Sequence, residues 1–381
     1  MKRATARNTR RPLVTALGNF RRIRWNAAVL VSLVAIGAMA IPASAEPLGP
    51  GESSSDPGIA YIPSDYPFGA DSSVRALNID TGEVERKFPV GPGPLVVKES
   101  FDHSKLYVSS LGVGLRNDGP GIQAESALSI IDKETGDVRK VQTLGPPFAV
   151  IQLSADGRNL YIPTAASVVQ VLDTTTDTII RTIPTLLPPS VVHIEVSPDE
   201  KDLYTYTGTG VITKYNMETG QPVGAQLTLG PGGWGTQSRD GRYIYAVNLA
   251  GSVAEIDTES FTISKTFKLS TFEVPVSGTL TPDGKQLWLA NYAAQNIEVF
   301  DTETGSLVHT MKTSGSPSYV SFSQANDDIF YISIADYGLG DHSTAPNLPA
   351  KGYLEIYDKS TMQQIKRMYI DRVGPGAGIF P

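Results

Sequence analysis

SGTLTPDGKQLWLANYAAQNIEVFDTETGSLVHTM, residues 277–311, decides the fold. Residues 277–280 read as a short strand, and Thr281-Pro282-Asp283-Gly284 as a reversal with Pro and Gly where a turn needs them. Leu287-Trp288-Leu289-Ala290-Asn291 reads as a second strand. Residues 296–301 form a third, with Ile297, Val299 and Asp301 alternating against Glu298 and Phe300. Thr302-Glu303-Thr304-Gly305 is a hairpin turn into an outer strand, 306–311. Such four-strand units recur. The Asn or Asp that ends the third strand stands at Asn78, Asp132, Asp173, Asn216, Asp257, Asp301 and Asp358, at intervals of 54, 41, 43, 41, 44 and 57 residues. A period of roughly 40–45 residues with several short strands per unit predicts an all-β, seven-bladed β-propeller with four-stranded blades.

The second-strand phrase returns as Leu106-Tyr107-Val108, Leu160-Tyr161-Ile162, Leu203-Tyr204-Thr205, Ile244-Tyr245-Ala246 and Ile329-Phe330-Tyr331. The turn before it returns as Ser154-Ala155-Asp156-Gly157, Ser197-Pro198-Asp199-Glu200 and Ser238-Arg239-Asp240-Gly241. An acid used at the same turn of every unit reads as a backbone cap rather than a catalytic carboxylate. The two ends of the repeat region complement each other. Ile59-Ala60-Tyr61-Ile62-Pro63 matches a second strand with no inner strand before it, and Val373-Gly374-Pro375-Gly376 resembles the entry to an inner strand at Val90-Gly91-Pro92-Gly93. The C-terminal strand is therefore expected to complete the first blade, closing the ring and removing two exposed sheet edges.

Residues 1–45 read as a signal peptide. Eight basic residues and no acid precede an apolar run, residues 27–41, that is too short for a membrane span of roughly 20 residues. Ala43-Ser44-Ala45 then offers a small-x-small cleavage site. An uncleaved anchor is the alternative, and Arg10-Arg11 and Arg21-Arg22 leave the export route open between the general and twin-arginine systems. The protein is expected to be secreted or extracytoplasmic, with 46–57 as a flexible linker and 58–381 as one propeller domain. Of 32 Lys and Arg, the eight in the leader would be lost. The remaining 24 face 39 acids, a net charge of −15. So acidic a chain is a poor partner for nucleic acid or an anionic membrane surface. It contains no cysteine, which excludes disulfides, thiol nucleophiles, covalently attached c-type haem and cysteine-ligated clusters.

The phrases Thr-Pro-Asp-Gly (281–284), Leu-Trp-Leu-Ala-Asn (287–291) and Asp-Thr-Glu-Thr-Gly (301–305), together with their copies, resemble the YVTN-repeat β-propellers. These are exported or surface bacterial proteins related to lactonase-like seven-bladed propellers. The resemblance spans about residues 58–381. It implies the fold and an extracytoplasmic setting. It implies little about chemistry, because one superfold hosts many activities.

Two places could carry function. The long intervals come from insertions between second and third strands at 109–126 in blade 2 and 333–352 in blade 7, with a smaller one at 64–73 in blade 1. Those blades are neighbours in a closed ring, so the insertions share one face. Loops of this length in a compact domain are usually functional or mobile. Asp65, Tyr66, Phe68, Arg116, Asp118, Asp336, Tyr337, Asp341 and His342 mix aromatic platforms with polar clamps, as a ligand site does. Reinforcement of ring closure is the plainer role for these loops. The second place is the channel. Val96, Val150, His193, Trp234, Ser277 and Tyr319 form one inner-strand row, and Lys98, Gln152, Glu195, Thr236, Thr279 and Ser321 another. Trp234 and Tyr319 are candidate ligand contacts. Lys98, His193 and Glu195 place an amine, an imidazole and an acid near one channel, enough for acid–base chemistry. Structural hydrogen bonding is the plainer reading of both rows.

The four histidines (His103, His193, His309, His342) lack zinc spacing, so no metal or other cofactor is expected. Calcium or magnesium on oxygen ligands of the insertions stays open. Two functions compete: a monomeric binding scaffold that takes a small molecule, glycan or protein on its insertion face, and a lactonase-like hydrolase, lyase or cyclase working at the channel mouth.

Overall fold

A computed structural model describes residues 54–56, 58–64, 72–115, 122–147, 150–185, 191–270, 274–323, 326–336, 351–371 and 378–381. Seven antiparallel sheets follow one another along the chain. Blade 1 contains Ile59–Ser64, Ser73–Asn78 and Val84–Pro89; blade 2 contains Pro94–Glu99, Lys105–Ser110, Ala127–Asp132 and Val138–Gln142. Blade 3 is Gln152–Leu153, Asn159–Thr164, Val168–Asp173 and Thr178–Pro184, and blade 4 is Val191–Val196, Asp202–Thr207, Val211–Asn216 and Leu227–Thr228. Blade 5 is Gly232–Gln237, Tyr243–Asn248, Ser252–Asp257 and Thr262–Lys268. Blade 6 is Pro275–Leu280, Gln286–Asn291, Asn296–Asp301 and Leu307–Lys312, and blade 7 is Ser316–Phe322, Ile329–Asp336, Lys351–Asp358 and Gln364–Asp371.

The seven-bladed reading therefore holds, and so does its closure. Tyr61 and Ile379 exchange both backbone hydrogen bonds, each 3.0 Å, adding the C-terminal segment to the inner edge of blade 1. Phe380 is buried and stacks on Tyr331 at 5.1 Å between ring centroids and on Tyr319 at 6.4 Å. The Pro381 carbonyl accepts hydrogen bonds from the Ser323 and Tyr331 hydroxyls of blade 7. Residues 54–56, within the stretch read as linker, join the closure. Ser54 N–H donates to the Phe380 carbonyl at 2.9 Å, and Ser55 donates to the buried Glu99 of blade 2 through its N–H (3.0 Å) and its hydroxyl (2.9 Å).

Every repeat anchor is a cap. The Oδ1 atom of Asn78, Asp132, Asp173, Asn216, Asp257, Asp301 and Asp358 accepts the N–H three residues on at 2.7–2.9 Å. The inner turns use a second device. The hydroxyls of Ser100, Ser154, Ser197, Ser238 and Thr281 each donate to the Asp two residues on. Each also accepts the N–H five residues on. These bonds consume the polar groups of the tight reversals.

The blades are joined by apolar packing and by a latch that the sequence did not announce. A cation of one blade donates to carbonyls in the outer hairpin turn of the next. Arg86 reaches Lys133 O at 2.7 Å, Lys105 reaches Thr174 O at 3.1 Å, and Arg181 reaches Glu218 O at 2.9 Å. Lys214 reaches Thr258 O at 3.0 Å, Lys265 reaches Thr302 O at 2.9 Å, and Lys366 closes the ring onto Ile79 O at 2.7 Å. At the seam between blades 6 and 7 the matching outer-strand position is His309, opposite Val299 as Lys265 is opposite Glu255.

Candidate functional site

Five of the inner strands share one irregularity. Register shifts fall between Pro94 and Val96, Val191 and His193, Gly232 and Trp234, Pro275 and Ser277, and Pro317 and Tyr319. A bulge re-aims the residue that follows it. The row that sequence spacing aligned is thus one structural position, repeated round the axis. The next row bonds across the seams: the Gln152 side chain accepts Val196 N–H at 2.8 Å, and Thr279 donates to Val320 O at 2.7 Å.

In blade 4 these rows hold His193 and Glu195, both fully buried. His193 Nε2 lies 2.9 Å from Glu195 Oε1. Tyr206, opposite His193 on the neighbouring strand, sets its ring edge-on to the imidazole with 4.9 Å between centroids. Burial holds the imidazole far below its ordinary range, at about 3, and the Lys98 ammonium adds to the effect. Lys98 lies on the inner strand of blade 2 and is itself buried. Burial first, with the Glu195 charge adding, also raises the Tyr206 phenol well above its usual value. Structure thus pairs His193 with Glu195 and withdraws Lys98, His193 and Glu195 from solvent.

The buried His193 makes stability pH-dependent. An unfolded His193 takes up a proton near pH 6.5, whereas the folded one stays neutral to about 3. The unfolded state therefore binds more protons in that window, and stability falls as pH falls through it, by about 1.4 kcal/mol per pH unit at most. Below about pH 4 the turn carboxylates add to the loss. Hydrogen bonds from Ser100, then Ser104, hold Asp102 at about 2, and Lys201, then Ser197, does the same for Asp199. Their contribution is complete above the unfolded pKa and vanishes as pH falls towards 2. Melting curves from pH 7 to 2 are expected to decline in two stages. The upper stage is absent in His193→Gln. A flat curve between pH 6.5 and 4 in the parent protein contradicts this assignment.

The other candidate site is the insertion face. In blade 2 the chain leaves the sheet at Ser110 and builds a separate hairpin, Val113–Leu115 against Ile122–Ala124, before returning at Ala127. Its base is fixed by Leu111 N–H to Gly93 O at 2.7 Å and by Glu125 N–H to Gly112 O at 2.7 Å. Gly112 has φ +72°, and a Cβ there would lie 2.3 Å from Glu125 O and 2.5 Å from Pro146, so only glycine fits. In blade 7 part of the insertion is strand. Pairing continues through Ala335 with Gly352 and Asp336 with Lys351, because the alternation of Ile332, Ile334 and Leu354 runs on past Ser333. Both features arise between second and third strands and hence on one face.

Trp234 is buried among Tyr245, Val247, Leu280 and Leu289, at the seam with blade 6, and Tyr319 is buried beside Phe380. Asp336 ends a strand. Asp65, Tyr66, Phe68, Arg116, Asp118, Tyr337, Asp341 and His342 lie outside the described residues. Among the described residues no group of three or more His, Asp or Glu side chains could hold a metal ion. On the opposite face, open grooves of about 400 Å³ between blades 3 and 4 and about 570 Å³ between blades 5 and 6 are lined by latch residues, Arg181 and Lys265 among them. Sequence reasoning missed Tyr206. Its signal was the departure of Leu203-Tyr204-Thr205-Tyr206-Thr207 from the usual second-strand phrase.

No protein-family model matches the chain, and no curated protein matches it by sequence. Among solved structures it is similar to a chain of Kuenenia stuttgartiensis hydrazine synthase, with a TM-score of 0.56 and 18% identity over 74% of this chain and 93% of that one. Likeness at that identity is likeness of fold.

Proposed function

We propose that the protein is an exported, YVTN-type binding propeller whose insertion face takes a glycan, a protein or a small molecule. The observation that carries this reading is the pair of ordered projections on one face: the separate hairpin of blade 2, and the two-residue extension of both central strands of blade 7. Blade 1 sits between them in the closed ring, with its own insertion on the same face. Loops between second and third strands leave a propeller on one face, and binding residues concentrate on such loops. Withdrawal of Lys98, His193 and Glu195 from solvent supports binding over catalysis at those residues.

The test is a screen of the purified protein against glycan and peptide arrays. Three forms are compared: the parent, a variant with 113–124 and 337–350 replaced by short turns, and His193→Ala. The reading expects array signals that survive His193→Ala and vanish in the loop-trimmed form. Signals that survive trimming overturn it. Turnover of lactone or glycan substrates that is lost in His193→Ala, with folding intact, would favour the lactonase-like alternative.

A further inference from the structure

In the inner turns of blades 3, 5 and 6, the third residue after the capping hydroxyl is Gly157, Gly241 or Gly284, each left-handed with φ of 70–71°. Blade 2 puts His103 at that position, with φ +62°. A residue with a Cβ enters this region at a cost, and such strain persists where it positions a side chain. Here it holds the imidazole Nδ1 at 3.0 Å from Oε2 of the fully buried Glu99, while the ring stays largely in water. Blade 4 does the same with Glu200, φ +55°, whose carboxylate takes the Tyr161 hydroxyl at 2.5 Å.

The oxygen that faces His103 also holds the N-terminal segment. Ser55 N–H donates to Glu99 Oε2 at 3.0 Å, and the Ser55 hydroxyl donates to Oε1 at 2.9 Å. Lys133, in the outer hairpin turn of blade 2, pairs with Oε1 and reaches the Ser55 hydroxyl and Asp56, each at 3.0 Å. Burial pushes the Asp56 carboxyl up. Hydrogen bonds from Tyr61 and Lys133, then the charges of Lys133 and His103, outweigh it and hold the group below its ordinary value. Charge sets the sign of the coupling. With the segment detached, Glu99 and Lys133 are left as a neutral pair. Docking adds the Asp56 carboxylate, and the group then carries one net negative charge. A proton on His103 restores neutrality beside the oxygen that accepts Ser55 N–H. The other charges of this turn are engaged in both states, Asp102 by Ser100 and Ser104 and Lys105 by Asp177. Docking and protonation therefore favour each other, and the docked state gains as pH falls.

We propose that His103 is a pH-sensing latch: residues 54–56 dock against Glu99 more tightly when the His103 imidazole is charged. The latch sits where the blade 2 inner strand enters its turn, on the face opposite the insertions, and is independent of the function proposed above.

The test is hydrogen exchange of the full-length protein between about pH 7.5 and 5.5, the range in which histidine titrates. It is read on peptides spanning residues 54–61 and corrected for the chemical pH dependence of exchange. Protection in the parent is expected to rise about threefold as pH falls, the scale of an exposed ion pair. His103→Gly supplies the residue that blades 3, 5 and 6 carry. It is expected to melt no lower than the parent and to show no rise. His103→Arg keeps its charge throughout and is expected to hold protection at the parent's acidic level across the range. The equivalent turn at Gly284 is the internal control and stays unchanged in all three proteins. Any effect of His193 is common to them and has the opposite sign. Protection that is flat in the parent, or that rises equally in His103→Gly, overturns the proposal and leaves His103 a purely structural turn residue.

Discussion

Removing residues 378–381 lowers the melting temperature by about 10 °C or more and broadens the transition. Phe380 alone accounts for much of this. It is 1% exposed and stacked on two tyrosines, and truncating such a side chain costs about 3–5 kcal/mol. In domains of this size each kcal/mol is worth roughly 2–4 °C. The deletion also removes the paired backbone bonds of Tyr61 and Ile379 and the Pro381 carbonyl that two blade 7 hydroxyls use. Blade 1 then presents an open edge to the channel and blade 7 loses the stacking of Phe380. Phe380→Ala is expected to reproduce about half of the loss while keeping the backbone pairing. Calorimetry on the three proteins checks the order.

Glu99→Ala costs about 3–5 kcal/mol, the usual result of stripping one partner from a buried ion pair. The Glu99 side chain is fully buried at the end of the blade 2 inner strand and is paired with Lys133, itself only 8% exposed. It also accepts from both Ser55 groups and contacts His103 Nδ1 at 3.0 Å. Lys133 keeps Asp56 at 3.0 Å, and Asp56 accepts the Tyr61 hydroxyl, so the damage spreads to the strand that the C-terminal segment pairs with. Glu99→Gln retains the shape and one of the two oxygens that Ser55 donates to, and is expected to lose less. If Glu99→Ala unfolds at the same denaturant midpoint as the parent, the network is decorative and the clamp described here is wrong.

The ring was legible because its devices repeat. Seven Asn or Asp caps, four hydroxyl–Asp turns and alternating apolar strands each announced themselves many times over, and the two ends could be paired because residues 373–376 repeat the phrase of residues 90–93. The inner-strand rows were legible for the same reason, since counting from a repeated turn fixes the register at His193, Trp234 and Ser277. What failed to show was anything made once or made across a seam. The cation latches join residues 37 to 287 positions apart and use backbone carbonyls, which carry no sequence mark. Tyr206 looked like a lapse in the repeat, yet it faces the imidazole. The role of residues 54–56 was hidden by composition, because Glu-Ser-Ser-Ser-Asp-Pro (52–57) reads as linker while its middle is held by Phe380 and Glu99.

Central to the account is a division of labour, in which the closed ring holds the fold and the insertions hold function. One calorimetric comparison of parent, loop-trimmed and 378–381-deleted protein tests it most directly. The division predicts that trimming 113–124 and 337–350 moves the melting temperature by about 2 °C at most, the scale of surface changes, while the four-residue deletion lowers it by about 10 °C or more. A loop-trimmed protein that collapses while the tail-deleted one melts like the parent would contradict it, and would make the insertions the true clasp of the ring.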